Sequence, residues 1–320
     1  MTTTDAPQAA PPPTASRRIG DAVFAGLARG SGLLILVILA GVAAFLVIQA
    51  WPSLSANTAN FLTSTEWEAN VREAPAFGVA ALAFGTLLAA AVALLLATPV
   101  AVGIALFIVY YAPRRLASVL GYLVDLLAAI PSVVYGLWGI GFLAPRLVPV
   151  FGGLTEHLGW IPLFSGPAST SGRTILTASI VLAVMILPII TAMSRDVFKQ
   201  VPQGHREAAL AMGATRWEMI RLAVLPFGRS GVVGGAMLGL GRALGETMAV
   251  AMILSPSLVI SFDLLQSGNQ TIAAHIALQY PEATGYGVSA LIAAGLVLFA
   301  ITLAVNMGAR YIVARGSKEA

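Results

Sequence analysis

Residues 31–50 read SGLLILVILAGVAAFLVIQA, twenty consecutive positions without a charged side chain. A helix rises 1.5 Å per residue, so ~20 apolar residues cross a hydrocarbon layer of ~30 Å. The stretch predicts a transmembrane helix from about Ser31 to Ala50. Arg17 and Arg18 precede it, as basic residues precede an export signal. The run is longer than the apolar region of a signal, however, and five further apolar segments follow. These lie near 77–111, 116–142, 174–194, 222–254 and 286–312. The expected fold class is therefore all-α, a polytopic membrane protein with six transmembrane helices.

Composition agrees with this reading. The 320-residue chain is 58% hydrophobic and 10% charged, with a mean hydropathy of +0.87. Soluble domains carry about 25% charged residues, and so few charges cannot cover a surface facing water. The second segment is long for one straight crossing, and either a projection from the membrane or a bend at Pro99 is expected. Pro226 should close the loop ahead of the fifth span. There are no cysteines, which excludes disulfides and thiolate chemistry.

The basic residues set the topology. Arg17, Arg18 and Arg29 precede the first span, and Arg114 and Arg115 lie in the second loop. Arg195, Lys199, Arg206, Arg216, Arg221 and Arg229 fall in or beside the fourth loop. Arg310, Arg315 and Lys318 follow the last span. That is fourteen on one side, against Arg72, Arg146 and Arg173 on the other. Cytoplasmic loops collect Lys and Arg, so both termini are expected in the cytoplasm. Trp51, Trp67 and Trp160 fall near the external ends. Alternation of this kind is a topology signal and not a nucleic-acid-binding patch, so no nucleic acid partner is expected. Residues 1–20, rich in Ala, Pro and Thr, are expected to be a disordered cytoplasmic tail, and residues 21–320 the membrane domain.

Two connections exceed a turn. The outer one, about 143–173, is rich in Gly, Pro and Ser. The inner one, about 195–221, contains Glu207-Ala208-Ala209-Leu-Ala-Met-Gly213, then Leu225-Pro226. Alanines give a smooth helix surface, and Gly213 permits a left-handed cap after about two turns. Glu207 is expected at the N-terminal end of this helix, where the macrodipole favours a carboxylate. A short helix between Gly204 and Trp217, lying across the cytoplasmic face, is the expectation.

This loop resembles the Glu-Ala-Ala loop of ABC-importer permeases, in which Gly, nine residues, Ile, one residue and Leu-Pro follow in register. Here Ala223 stands at the Ile position. Two further stretches, Asp125 to Gly139 and Gly239 to Val250, resemble the permeases of ABC-type phosphate importers, the PstC type above its PstA partner. The resemblance implies a type I ABC importer permease fold. It implies that Glu207, Ala208, Ala209 and Gly213 belong to the helix that couples to the ATPase. It also implies a PstA-like second permease, a cytoplasmic PstB-like ATPase dimer and an extracytoplasmic PstS-like phosphate-binding protein, within membrane lipid.

Three ionisable residues fall inside predicted spans, where charge is costly and faces a protein interior or a water path. Arg242 and Glu246, four apart, would share one helix face. They are candidates for a substrate gate, in which Arg242 attracts an oxyanion through its planar fork of donors and Glu246 holds the guanidinium until the anion competes. A structural ion pair is the competing reading. Asp125 is a candidate either for the path or for a bond to a neighbouring helix. Pro131 and Pro188 are candidates for helix breaks along a cavity. Gly235/Gly239 and Gly241/Gly245 have the spacing of close helix contacts. His157, His205 and His275 lack metal-ligand spacing and are expected on the surface. Of the two lysines, Lys199 and Lys318, neither sits in a phosphate-binding loop, so no cofactor is expected here and ATP belongs on a partner. The expected role is a permease and not an enzyme. A permease for sulfate or molybdate, a secondary transporter and a channel are the alternatives.

Overall fold

The computed structural model describes residues 19–71 and 73–316. The expected tail, with Arg17 and Arg18, lies outside them apart from Ile19 and Gly20, which open the first helix. Arg72 and Lys318 lie outside them too. Six helices among the described residues are long and apolar enough to cross a membrane: Gly20–Ala56, Ala80–Tyr111, Ser132–Leu158, Ile175–Lys199, Arg216–Leu244 and Gly287–Tyr311. The chain divides into two compact units at Leu46 and Val47. The first is the N-terminal part of α1 (Ile19–Ala56), whose leucines, isoleucines and valines from Leu33 to Leu39 are all exposed. A helix that is apolar on every face and uncovered by protein is suited to lipid.

The second unit is built on α2 (Ala80–Leu106) and α6 (Ile175–Lys199). Ala89, Ala93, Ala97 and Ala101 are buried at intervals of four, which places them along one stripe of α2. Small side chains let α6 approach and seat Leu182, Ile186 and Ile190 in the core. Against both α6 and α2 packs α9 (Leu225–Leu244). A Cβ at Gly235 would stand 2.9 Å from Met193 Cβ, and one at Gly239 would stand 3.0 Å from Ile190 Cγ1. In a membrane, where lipid is as apolar as leucine, such close backbone approach is what holds helices together. Gly239→Leu should force α6 and α9 apart and lower the melting temperature of the purified protein by several degrees, the effect of an overpacking cost of about 1–3 kcal/mol. Gly241 and Gly245 do not share this role: a Cβ at Gly241 would meet nothing within 4 Å.

The helix boundaries differ from the sequence expectations where prolines act. The expected third span, 116–142, is interrupted. Helix α3 (Arg114–Ala128) ends, the chain turns at Ala129 to Pro131, and α4 (Ser132–Trp138) begins. Pro131 has no N–H to continue α3 and biases Ile130 away from the helical region. The helix that resumes runs through a wide π-turn, Gly139–Leu143, into α5 (Ala144–Leu158). The first half of the expected outer loop is therefore helical. By contrast, α2 runs through Pro99 and α6 through Pro188 without ending. Pro226 does not close a loop. It lies in the first turn of α9, and α8 (Arg216–Met219) joins α9 through the π-turn Ile220–Val224. The wider turn makes room for a ring that would otherwise meet the carbonyl four residues back.

The inner connection contains α7 (Gln203–Ala211), and Gly213 takes φ +86° immediately after it. After α9 come α10 (Met248–Ile253), α11 (Ile272–Gln279) and α12 (Gly287–Gly316). Two short antiparallel strands, β1 (Trp67–Glu68) and β2 (Ala76–Phe77), form a hairpin between α1 and α2. Asn57 fixes it, donating to the Phe77 carbonyl and accepting from the Phe77 N–H.

Candidate functional site: two adjacent helix breaks

Two helices are interrupted, α3 at Ala129 to Pro131 and α9 at Gly245, and their continuations α4 and α10 pack together. A Cβ at Gly136 on α4 would stand 2.9 Å from Ala249 Cα on α10, and one at Gly139 would lie 2.8 Å from Ile253 Cδ1. Glycine at these two positions lets α4 and α10 touch.

Each break leaves backbone groups that a membrane cannot solvate, and side chains take them up. At the end of α3 the Tyr135 hydroxyl donates to the Leu127 carbonyl at 2.8 Å. Arg242 Nη1, in the last turn of α9, donates to the Ala128 carbonyl at 3.4 Å. A guanidinium at a helix C-terminus also meets the negative end of the macrodipole. At the second break α9 stops at Leu244, and Gly245 and Glu246 bond back to Gly241 and Ala243. Glu246 is buried, and its Oε1 accepts from the Ala249 N–H at 3.1 Å. A carboxylate at the start of α10 satisfies a donor that has no partner within that helix. The far end of α10 is closed in the same manner: Arg173 donates from Nε to the Ile253 carbonyl and from Nη2 to the Leu254 carbonyl.

The expected gate pair is therefore separated. The helix ends between Arg242 and Glu246, so the two do not share a face, and among the described residues they form no ion pair. Glu246 binds backbone, and the group that holds the guanidinium is the Ala128 carbonyl. Arg242 is half-buried with a single long hydrogen bond among the described residues. Its remaining donors can turn to an incoming anion at small cost.

Asp125 stands one turn before Ala128 on α3. It bonds to the neighbouring helix, pairing with Arg195 of α6 at 3.4 Å, while its own side chain stays exposed. The last turn of α3 thus contacts α6 through Asp125 and α9 through Ala128. Pro131 lies at the break, as expected, while Pro188 stays inside an unbroken helix.

Between α6 and α8, α7 rests on Ala209, which is buried among Phe198, Val201, Ile220 and Val224. Glu207, Ala208 and Gly213 are exposed, as are Met212, Trp217 and Leu222. Glu207 is the fifth residue of α7 and not in its first turn, so it is not the dipole partner the sequence suggested. His157 and His205 are exposed as expected. His275 is not: it is buried on α11, edge-on to Trp67 at 4.6 Å, and burial pushes its imidazole down to about 4.

Residues 97–318 match the model of the family described as binding-protein-dependent transport system inner membrane component. The chain is 50% identical over 298 residues to the phosphate transport system permease protein PstC 2 of Mycobacterium tuberculosis, covering 92% of each chain. It is 41% identical to the phosphate transport system permease protein PstC of Mesorhizobium japonicum, over 92% of this chain and 90% of that one. Among solved structures, a methionine ABC transporter, MetNI, in an inward-facing conformation shares the fold. The TM-score is 0.53 at 17% identity, over 72% of this chain and 93% of that one.

Proposed function

The chain belongs to the binding-protein-dependent transport system inner membrane components, and we propose that it is the PstC-type permease subunit of an ATP-driven importer of inorganic phosphate. The substrate follows from the names of relatives that are similar along nearly the whole chain. What the geometry adds is one observation, a guanidinium lightly held where the end of α9 meets the end of α3. An oxyanion passing the break competes with the Ala128 carbonyl for Arg242, and the planar fork suits phosphate. Glu246 and Asp125 position α10 and α3 around it.

The rest of the machine lies on partners. A PstA-like permease completes the path, and a PstS-like binding protein delivers phosphate from outside. A PstB-like ATPase dimer docks on α7, where Glu207 and Ala208 are exposed, as are Met212, Trp217 and Leu222 after it in the chain. ATP is bound and hydrolysed there, and this chain needs no cofactor. The excess of basic residues around α7 and α9 supports a cytoplasmic position for that face and both termini, and the relatives' bacterial sources support a bacterial inner membrane for the spans. A tagged copy of the chain, solubilised in mild detergent from cells expressing the whole system, should bring down the ATPase and the second permease in fixed ratio. A secondary carrier or channel would come out without an ATPase, and that result would overturn the reading.

A further inference from the structure

A cavity of about 660 Å³ opens beside the β1–β2 hairpin, between that hairpin, the segment after α10 and α11. Its wall includes Trp67, Glu68, Ser257, Gln270, His275 and Gln279. Two of these are almost wholly buried yet unfinished. Gln270 is 1% exposed, and neither its amide oxygen nor its amide nitrogen has a hydrogen-bond partner among the described residues. His275 is 5% exposed, and its Nε2 is likewise without one. Buried polar atoms of native proteins are nearly always paired, so a cluster of orphans facing one cavity marks a place where something binds.

The fold holds these groups in position. The Gln270 carbonyl is pressed so close to α2 that a Cβ at Gly85 would overlap it. Thr86 Oγ1 accepts from the Ile272 N–H, and Thr271 caps α11. Asn269 takes φ +64° to turn the chain inward. Trp67 braces the imidazole from the hairpin.

The chemistry of the wall selects its occupant. A carboxamide and a neutral imidazole offer both donors and acceptors and no positive charge, and among the described lining residues Glu68 carries the charge. Such a wall favours an uncharged amide or a peptide group over the transported anion. The cavity also does not stand alone. Leu258 forms part of its wall, and from there Val259, Ile260 and Phe262 are exposed along the same segment. An apolar strip beside a polar socket is the surface of a protein contact and not of a small-solute site.

We propose that this cavity receives a loop of the extracytoplasmic binding protein, one amide or peptide group of which completes the hydrogen bonds of Gln270 and His275. The proposal rests on the importer reading above. It is tested on the assembled importer in nanodiscs, by titrating phosphate-loaded binding protein and following ATP hydrolysis. Gln270→Leu removes the two orphan atoms of its amide, and Ser257→Trp fills the cavity from another part of its wall, with Gln270 and His275 both kept. Both should raise the half-saturating concentration of binding protein about tenfold, as loss of a central contact does, and leave the plateau rate unchanged. Should Gln270→Leu fail to assemble, Ser257→Trp decides. Half-saturation equal to the parent protein would overturn the proposal and leave the cavity holding water only. A parent importer that the binding protein does not stimulate would instead overturn the importer reading itself.

Discussion

Arg242→Gln is expected to lower ATP-dependent phosphate uptake about 100-fold, equivalent to about 2.7 kcal/mol on the barrier to passage, the scale of losing one preorganised donor for an oxyanion. The substitution gives up a bond that is already long at 3.4 Å, while the Tyr135 hydroxyl still holds the Leu127 carbonyl, so the break between α3 and α4 stays closed and the importer still assembles. What disappears is the charge and the fork. Arg242→Lys separates the two: an ammonium restores attraction as a point charge but not the planar geometry, and uptake should be partly recovered. Assembly is checked by co-purification of the ATPase, and uptake by radiolabelled phosphate in proteoliposomes. Normal uptake by the Gln variant would reduce Arg242 to a structural cap on α3.

The second large effect is expected on the inner face. Ala209 is the buried contact of α7, set among Phe198, Val201, Ile220 and Val224. Ala209→Glu would place a carboxylate in that apolar seat without a partner, which costs several kcal/mol, and α7 should lift instead. Uptake should fall roughly 30-fold, equivalent to about 2 kcal/mol. The partner's ATP hydrolysis should continue but lose its response to loaded binding protein. The lesion is expected in transmission to the spans and not at Arg242. Ala208→Ser, on the exposed face, changes little volume and should leave the permease correctly folded. Unchanged coupling in Ala209→Glu would remove α7 from the path of force.

Much of this architecture is legible in the sequence because lipid imposes a simple rule. Twenty apolar residues in a row, as at 31–50, have one stable use, and basic residues sort to one side. The four-residue spacing of Gly235 and Gly239 marks a close contact, while the same spacing at Gly241 and Gly245 marks none, because that pair does not face α6. Gly213 is readable for a related reason, since few other residues end a helix at positive φ.

The site was less legible because sequence spacing assumes an unbroken helix. Arg242 and Glu246 look like a pair at i and i+4, yet the chain leaves the helix at Gly245, and Glu246 caps the next one. Pro131 signalled the first break, but Pro99, Pro188 and Pro226 carry the same signal and lie within helices. Whether a proline breaks a helix depends on what packs beside it, and only the fold decides. Tyr135 and the Ala128 carbonyl had no signal of their own, because their role is to satisfy backbone exposed by a break elsewhere. His275 is buried against the expectation of a surface position, because the sequence does not show the hairpin that brings Trp67 over it.

The most direct test is transport by the reconstituted importer, with this chain, its partner permease and the ATPase dimer in proteoliposomes and the binding protein outside. Uptake of radiolabelled phosphate should require both internal ATP and the binding protein, and a large excess of sulfate or molybdate should not compete. Uptake that continues without ATP, or that sulfate abolishes, would contradict the account.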